Sequence, residues 1–591
     1  MGGVLLLDRI RDRAAQEPNR SALRVDGRSL SYGELVEAAT KLAERLREDG
    51  IGVEDVVATV LPRGGNAIIA ILGIWMSGAA YAPTDPGWPK RRLDLVLGES
   101  SARIVQDPDG GGAGLAMSGE PALRITGIKC EPGGDRSRPR PRDARNRNLA
   151  YVIHTSGSTG TPNAVGVEFG ALDNYGMYLH DIVKESSALS DSDISVLLSA
   201  NLTFDASLRP VLLLAAGATL VVAPDLSDGS WSDHDAAIVD GGVTILSGVP
   251  SWYSGLLGAG FDPSASKVQL SFIGGEAVPN GVVRELTTEG RTVVVQYGPT
   301  ETTVAATGKV LTDDEFAEPP IGDGIPGAWV GLYRDDDLSH LPDGEPGDLY
   351  VGGVGVARGY LRNPRLTAER FVPDPSGAPG ARMFRSGDIA RRLPEGGYSF
   401  LGRRDDQVKI SGRRIELGEV SSVANRHPTV AHSVAFVYHE STHPRLAACY
   451  VARPGTDDPD LDDSLRNHLA QELPDYLVPS IIRKVDTLPV TDRGKVDMAA
   501  LLALVATDDA VTPACTEAAD EVGQRLIAIV SDTLGVPCTL DDDFFQLGGG
   551  SLDALEVLSR IREEFGVRAR LRNFFEQRTI RALHSLIEGA R

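Results

Sequence analysis

The chain has 591 residues, 42% of them hydrophobic and 24% charged, with a net charge of −23. That length suggests about four compact units at roughly 150 residues each, enough to bury cores without a disulfide or metal staple. So acidic a chain lacks the clustered Lys and Arg that nucleic-acid backbones and anionic membranes demand, which excludes a general nucleic-acid binder and a polybasic membrane anchor. Cys130, Cys449, Cys515 and Cys538 lie far apart, with no CxxC and no Cys/His cluster. Reduced thiols are the simplest reading.

The N-terminal MGGVLLLDRIRDR is too soon interrupted by charge for a signal peptide or a membrane span. It reads as an amphipathic first helix, and a cytoplasmic location is expected. Residues 31–49 read as a helix, with Ser31 as cap and Glu34 three residues later. Residues 53–62 read as a strand, 66–79 as a buried helix, and YAPTDP at 81–86 as an extended turn. Strand–helix alternation predicts an α/β fold with parallel sheets covered on both faces. The arginine-rich stretch 136–148 fits an RNA-binding arm or a solvated connection, and we read it as the connection. Strands and helices continue to about 400, and GDLYVGGVGVARGYL at 347–361 has the glycines of a small β unit. A polar stretch at 402–420 leads into a small α+β unit ending near 505. A linker follows, and residues 517–591 read as all-helical, with amphipathic runs QRLIAIVSDTL, SLDALEVLSRIREEF and TIRALHSLIEG.

Several motifs carry chemistry. Thr155, Ser156, Gly157, Ser158, Thr159 and Gly160 form a hydroxyl- and glycine-rich loop after the strand-like LAYVIH. Backbone N–H groups and hydroxyls of such a loop can cradle phosphate oxygens, although singly the run also fits a plain loop. No Gly-Lys-Ser/Thr closes it, so it is not a Walker A loop. Tyr297-Gly298-Pro299-Thr300-Glu301-Thr302 offers a hydroxyl and a carboxylate at a turn. Phe384-Arg385-Ser386-Gly387-Asp388 offers a carboxylate suited to a ribose diol. The segments 402–410 and Arg493-Gly494-Lys495-Val496-Asp497 complete the series.

The order and spacing of these motifs resemble an adenylation domain of a nonribosomal peptide synthetase, within the adenylate-forming superfamily. The resemblance spans about 8–505 and includes Ser31-Tyr32-Gly33-Glu34-Leu35, Gly78–Pro83, Gly355–Leu361 and Leu473–Pro479. Asp542–Leu552, just before an amphipathic run, resembles the phosphopantetheine attachment site of a peptidyl carrier protein, with Ser551 as the modified residue. Ser551 also fits a helix N-cap, and the two roles are compatible. Gly550 stands where the carrier motif usually has His or Asp.

The resemblance implies a large N-terminal subdomain (1–404), a small α+β subdomain (405–505), a linker (506–516) and a four-helix-type carrier domain (517–591). It implies ATP, Mg²⁺ and 4′-phosphopantetheine on Ser551 as cofactors. It implies two half-reactions, carboxylate adenylation and then transfer to the carrier thiol. Residue by residue, Lys495 is expected to bridge the substrate carboxylate and the ATP ribose, Thr300 to face the α-phosphate, and Glu301 to hold Mg²⁺. Asp388 and Arg403 belong at the ribose, and Tyr297, Gly298 and the 155–160 loop at ATP. Asp405 matches the hinge, about which the small domain exchanges the Lys495 face for the loop around Gly412. Asn163 stands where the family usually has Lys, Val295 and Arg493 where it often has Asn.

For the substrate, Asp205 matches the carboxylate that pairs with an α-amino group, beside Ala206. The pocket implied includes Arg209, Ser247, Phe272, Gly274, Gln296, Val304 and Ala305. An inward Arg209 implies an acidic or strongly polar amino acid; an outward one implies a small to medium, partly polar pocket. Implied partners are the amino acid, a phosphopantetheinyl transferase, a condensation or tailoring enzyme in trans, and a small activator protein of the MbtH-like type; nucleic acid and membrane are not expected. Two rival readings are an aryl- or fatty-acyl-adenylating ligase with a fused carrier, and a catalytically weak carrier scaffold.

Overall fold

The computed structural model describes residues 5–100, 103–106, 124–126, 146–157, 161–186, 189, 194–226, 231–312, 319–334, 338–404, 407–410, 413–440, 443–454, 456, 460–489, 496–506, 520–534, 538–542, 544, 547, 551–567 and 579–590. The helix Tyr32–Glu48 starts as its sequence predicts: Ser31 Oγ accepts from the Glu34 N–H at 3.2 Å, and the Glu34 carboxylate accepts from the Ser31 N–H at 2.8 Å. The helix Gly65–Ser77 is buried along every residue, which explains its unbroken apolar run.

Three sheets build the large region. A seven-stranded sheet runs in the order Gly359–Tyr360, Asn163–Glu168, Leu149–Thr155, Ala80–Thr84, Val56–Val60, Arg103–Gln106, Arg124–Thr126. Its four middle strands, Leu149–Thr155 to Arg103–Gln106, are parallel. The expected turn at YAPTDP is instead mostly the buried parallel strand Ala80–Thr84. Burial on both faces removed the alternation that would have marked it as a strand. A nine-stranded sheet sets Ile245–Gly248, Leu270–Gly274 and Thr292–Tyr297 side by side and parallel. A five-stranded antiparallel sheet holds Pro346–Gly353, Arg382–Arg392 and Tyr398–Arg403. The glycine-rich stretch 347–361 is therefore split: Pro346–Gly353 pairs in this third sheet, while Gly359–Tyr360 crosses to the edge of the first.

A two-stranded hairpin, Gln407–Ile410 with Arg413–Glu416, leads into the helix Leu417–Ala424 and a three-stranded sheet, Val430–Glu440, His443–Ala452 and Ile481–Lys484. The tail shows the helices Glu521–Leu534, Ser551–Phe565 and Ile580–Ala590 around a core with Phe544 at its centre. Any fourth helix in 568–578 lies outside the described residues. The tail rests on the large region: Arg562 Nη1 lies 3.1 Å from Asp233 Oδ1, and Leu226 packs against both cores. Among the described residues no helix is long and apolar enough to cross a membrane. Cys449 and Cys538 are buried free thiols.

The buried Tyr32 fixes the start of its helix against the segment that enters the nine-stranded sheet: its hydroxyl lies within donating distance of the Leu214 and Ala218 carbonyls, at 2.9 and 2.8 Å. Tyr32→Phe removes the hydroxyl donor from this pair of buried carbonyls, of which Leu214 keeps the Gly217 N–H, so we expect a loss of about 1–3 kcal/mol, read from the urea unfolding midpoint. A midpoint unchanged from the parent would contradict that bracing role.

Candidate active site

The three parallel strands Ile245–Gly248, Leu270–Gly274 and Thr292–Tyr297 end together, and ligand sites in such sheets form beyond the carboxyl ends of strands. Ser247, Phe272, Gly274 and Gln296 all lie at or near these ends. Gly274 has no alternative: a Cβ there would sit 2.0 Å from the Gln296 carbonyl oxygen. Thr303 and Val304 follow in left-handed backbone, both at φ 62°, which a β-branched residue adopts only under constraint. Ala305 is buried beside them.

Arg209 points inward. It is buried on the helix Leu208–Leu213, donates from Nε to Tyr175 Oη at 2.8 Å and from Nη1 to Ser247 Oγ at 2.6 Å, and its guanidinium lies 5.4 Å from the Phe272 ring centre. Tyr175 in turn donates to Gln296 Oε1 at 3.0 Å. Gln296 Nε2 and Asp205 Oδ2 are buried with no hydrogen-bond partner. Asp205 sits in the 3₁₀ turn Asp205–Ser207, next to Ala206. Burial pushes its carboxyl above the usual range, opposed by the Thr300 hydroxyl, the Ala206 N–H and the Arg209 charge. A carboxylate and an amide donor left open in one buried cluster call for a ligand bearing a cation and an acceptor.

Asp388 lies on the strand Arg382–Arg392 and is buried. Its two oxygens accept from Tyr297 Oη and Arg403 Nη1, so three of the predicted nucleotide-site residues meet at one carboxylate. Gly298 follows directly, where a Cβ would meet Ala305 Cα at 2.6 Å. Lys409 Nζ lies 5.9 Å from the Tyr297 ring centre; burial lowers its pKa, opposed by the Asp388 charge.

Glu301, in the turn Thr300–Thr302, has no exposed surface. It accepts from Tyr360 Oη at 2.7 Å and from Arg414 Nη1 at 2.9 and 2.7 Å to its two oxygens. Burial raises the cost of its charge, but Arg414 and Tyr360 more than offset this and hold the carboxyl below its ordinary value. The glycine-rich loop is gripped from the same side. Ser156 Oγ donates to the Arg414 carbonyl at 2.8 Å and accepts from the Glu416 N–H at 3.2 Å. The Gly157 N–H donates to Glu419 Oε2 at 3.1 Å. Glu419 Oε1 accepts from Arg92, which is also buried. Thr155 Oγ1 donates to the Asn163 carbonyl at 3.4 Å.

The site thus has oxygen donors for a hard cation in Glu301 and Thr300, and N–H and guanidinium donors for an anion at Gly157 and Arg92. The residues present fit Mg²⁺ and a nucleotide polyphosphate. Ser158, Thr159, Gly160, Asp405, Gly412 and Lys495 lie outside the described residues. Ser551 is the first residue of the helix Ser551–Phe565, which fits an attachment site at a helix start.

Comparison with known proteins decides the assignment. Residues 10–361 match the AMP-binding enzyme model, residues 419–495 its C-terminal domain, and residues 524–587 the phosphopantetheine attachment site. The chain belongs to the AMP-binding enzyme family. It is an ATP-dependent, AMP-forming ligase, an adenylation domain fused to a carrier. A dimodular nonribosomal peptide synthase of Bacillus subtilis is 34% identical over 592 residues, covering 99% of this chain and 24% of that protein. Phosphinothricin tripeptide synthetase PhsC of Streptomyces viridochromogenes is 35% identical over 98% of this chain and 53% of its own length. The chain thus spans between about a quarter and a half of these two relatives. Holo-PA1221, a protein containing adenylation and PCP domains bound to a vinylsulfonamide inhibitor, aligns with a TM-score of 0.79 at 25% identity, over 99% of this chain and 96% of that one.

Sequence reading of this ligase missed Arg414, Glu419, Arg92 and Tyr175 as site residues. Arg414 and Glu419 both stand within the polar stretch 402–420, whose charge density was the available signal. Asn163 begins a strand, and its Nδ2 would approach a Cβ at Gly157 to 3.2 Å, so a longer cation there would reach the loop. Asn163→Lys is expected to lower the KM for ATP by about fivefold, the worth of a partly screened charge contact of about 1 kcal/mol. ATP kinetics unchanged in both constants would contradict it.

Proposed function

We propose that this chain activates a polar or acidic α-amino acid and loads it onto its own carrier. In the first step a carboxylate oxygen of the amino acid attacks the α-phosphorus of ATP, and the bond to pyrophosphate breaks. In the second, a thiol sulfur attacks the acyl carbon, the thiol proton is lost, and AMP leaves. Adenylation belongs to residues 1–404 and 405–505, and the carrier to 517–591 beyond the linker 506–516. Glu301 would hold Mg²⁺, which when bound would offset the polyphosphate charge. Asp388 and Arg403 orient the ribose, Thr300 faces the α-phosphate, and Lys495 bridges the substrate carboxylate and the sugar. The phosphopantetheine arm on Ser551 supplies the accepting thiol, at high effective concentration because the carrier is tethered.

The observation that carries the amino-acid reading is the buried, unpartnered Asp205 Oδ2. An isolated buried carboxylate is costly, and an α-ammonium is its complement. Gln296 Nε2 is without a hydrogen-bond partner and the Arg209 guanidinium lies in the same buried cluster, which supports a side chain bearing a carboxylate or carbonyl. Attachment at Ser551 needs a phosphopantetheinyl transferase. A condensation or tailoring enzyme then consumes the thioester, and a small activator of the MbtH-like type is a further partner of this reading.

Amino-acid-dependent ATP–pyrophosphate exchange tests it, with Glu, Asp, Gln, Asn, Ser and small apolar amino acids. Acidic or amide side chains are expected to give the fastest exchange. Asp205→Asn should lower kcat/KM by about 10- to 150-fold, as loss of a charged hydrogen bond of about 1.5–3 kcal/mol predicts. Equal exchange with carboxylic acids lacking the amino group would contradict the role of Asp205. Fastest exchange with small apolar amino acids would contradict that of Arg209.

A further inference from the structure

Three buried side chains of the pocket, Arg209, Tyr175 and Gln296, form one directed chain of hydrogen bonds. Tyr175 comes from the helix Phe169–Glu185, well before the other two in sequence. The Arg209 Nε–H donates to Tyr175 Oη at 2.8 Å. A tyrosine hydroxyl has a single proton, and that of Tyr175 goes to Gln296 Oε1 at 3.0 Å. Burial raises the Tyr175 pKa against the opposing Arg209 charge, so the hydroxyl keeps that proton. With Oε1 engaged, the Gln296 amide is turned so that its open atom is the donor Nε2, buried without a hydrogen-bond partner.

The charges of the pocket point the same way. Both hydrogen bonds of Arg209 end on neutral hydroxyls, those of Tyr175 and Ser247. Asp205 feels the Arg209 charge, but Asp205 is the proposed complement of the ligand's α-ammonium. Once that ammonium is bound, Arg209 remains as a buried cation that only an anionic side chain offsets. An amide of the same shape brings a carbonyl without the charge, and its own NH₂ group meets the donors of Arg209 and Gln296. We infer that Tyr175 is a positioning residue that holds Arg209 and Gln296 as donors, so that the pocket selects an amino acid whose side chain ends in a carboxylate against the corresponding amide. The inference rests on the amino-acid reading of Asp205 and narrows the side-chain class within it.

The test sets L-glutamate against L-glutamine and L-aspartate against L-asparagine on the full-length chain, by ATP–pyrophosphate exchange and by calorimetric binding. In the parent, the acid of at least one pair should exceed its amide by about tenfold or more in kcat/KM, the margin between a charged and a neutral hydrogen bond. Tyr175→Phe keeps the ring and releases the Gln296 amide to turn, so the acid-to-amide ratio should fall to within about threefold of unity, chiefly through the KM for the amino acid. Gln296→Glu replaces the open donor with an acceptor and should reverse the preference toward the amide. Amides that match or exceed their acids in both pairs overturn the inference, as do equal losses for acid and amide in Tyr175→Phe, which mark a packing role alone. If Tyr175→Phe does not fold, Gln296→Glu decides, and an acid preference that survives it overturns the inference. Exchange with neutral amino acids only overturns it while leaving amino-acid activation intact. If no amino acid supports exchange, the adenylating reading fails, and the calorimetric acid-to-amide ratio decides this inference, with no binding of either acid counting against it.

Discussion

Glu301 carries a negative charge in a place with no water to share it. Removing a carboxylate from solvent costs several kcal/mol unless a cation and hydrogen-bond donors are built against it. Here the cation is Arg414 and the donor is Tyr360, drawn from the hairpin and from the edge of the first sheet. The turn Thr300–Thr302 that carries Glu301 also carries Thr300, which supports Asp205. The proposed metal ligand Glu301, the Thr300 support of the proposed substrate carboxylate Asp205 and the small-region contact of Arg414 therefore meet at one turn.

The pocket proposed for the amino acid follows the same logic with the signs exchanged. Arg209 is a buried cation whose hydrogen bonds, to Tyr175 and Ser247, are both neutral. Asp205 feels its charge, and the Oδ2 of that carboxylate is itself without a hydrogen-bond partner. A ligand carrying both an ammonium and an acceptor satisfies the two together, and a purely apolar one satisfies neither. Selectivity of this kind is large because the unpaired groups of the site penalise the wrong ligand.

Much of this was legible in the sequence where the signal is local. The capping box of Ser31 and Glu34 and the all-apolar run of Gly65–Ser77 each sit within one turn or one helix, and both form as read. The collinear motifs identified the family, because their order is a property of the chain itself. The strand Ala80–Thr84 was hidden because burial on both faces leaves no alternation to detect. Arg414 and Glu419 were hidden because their partners are 113 and 262 residues away, a separation no periodicity reports. The direction of Arg209 depended on its place in a short helix after a 3₁₀ turn, which spacing alone left open.

In the function proposed, one chain both makes the adenylate and captures the acyl group on its own Ser551. Intact-protein mass spectrometry tests it most directly, on chain first converted by a phosphopantetheinyl transferase and then given ATP, Mg²⁺ and the preferred amino acid. The expected result is a mass increase of one phosphopantetheine followed by one aminoacyl group, both absent in Ser551→Ala. An amino acid that turns over ATP while the phosphopantetheinylated chain gains no acyl mass would contradict it.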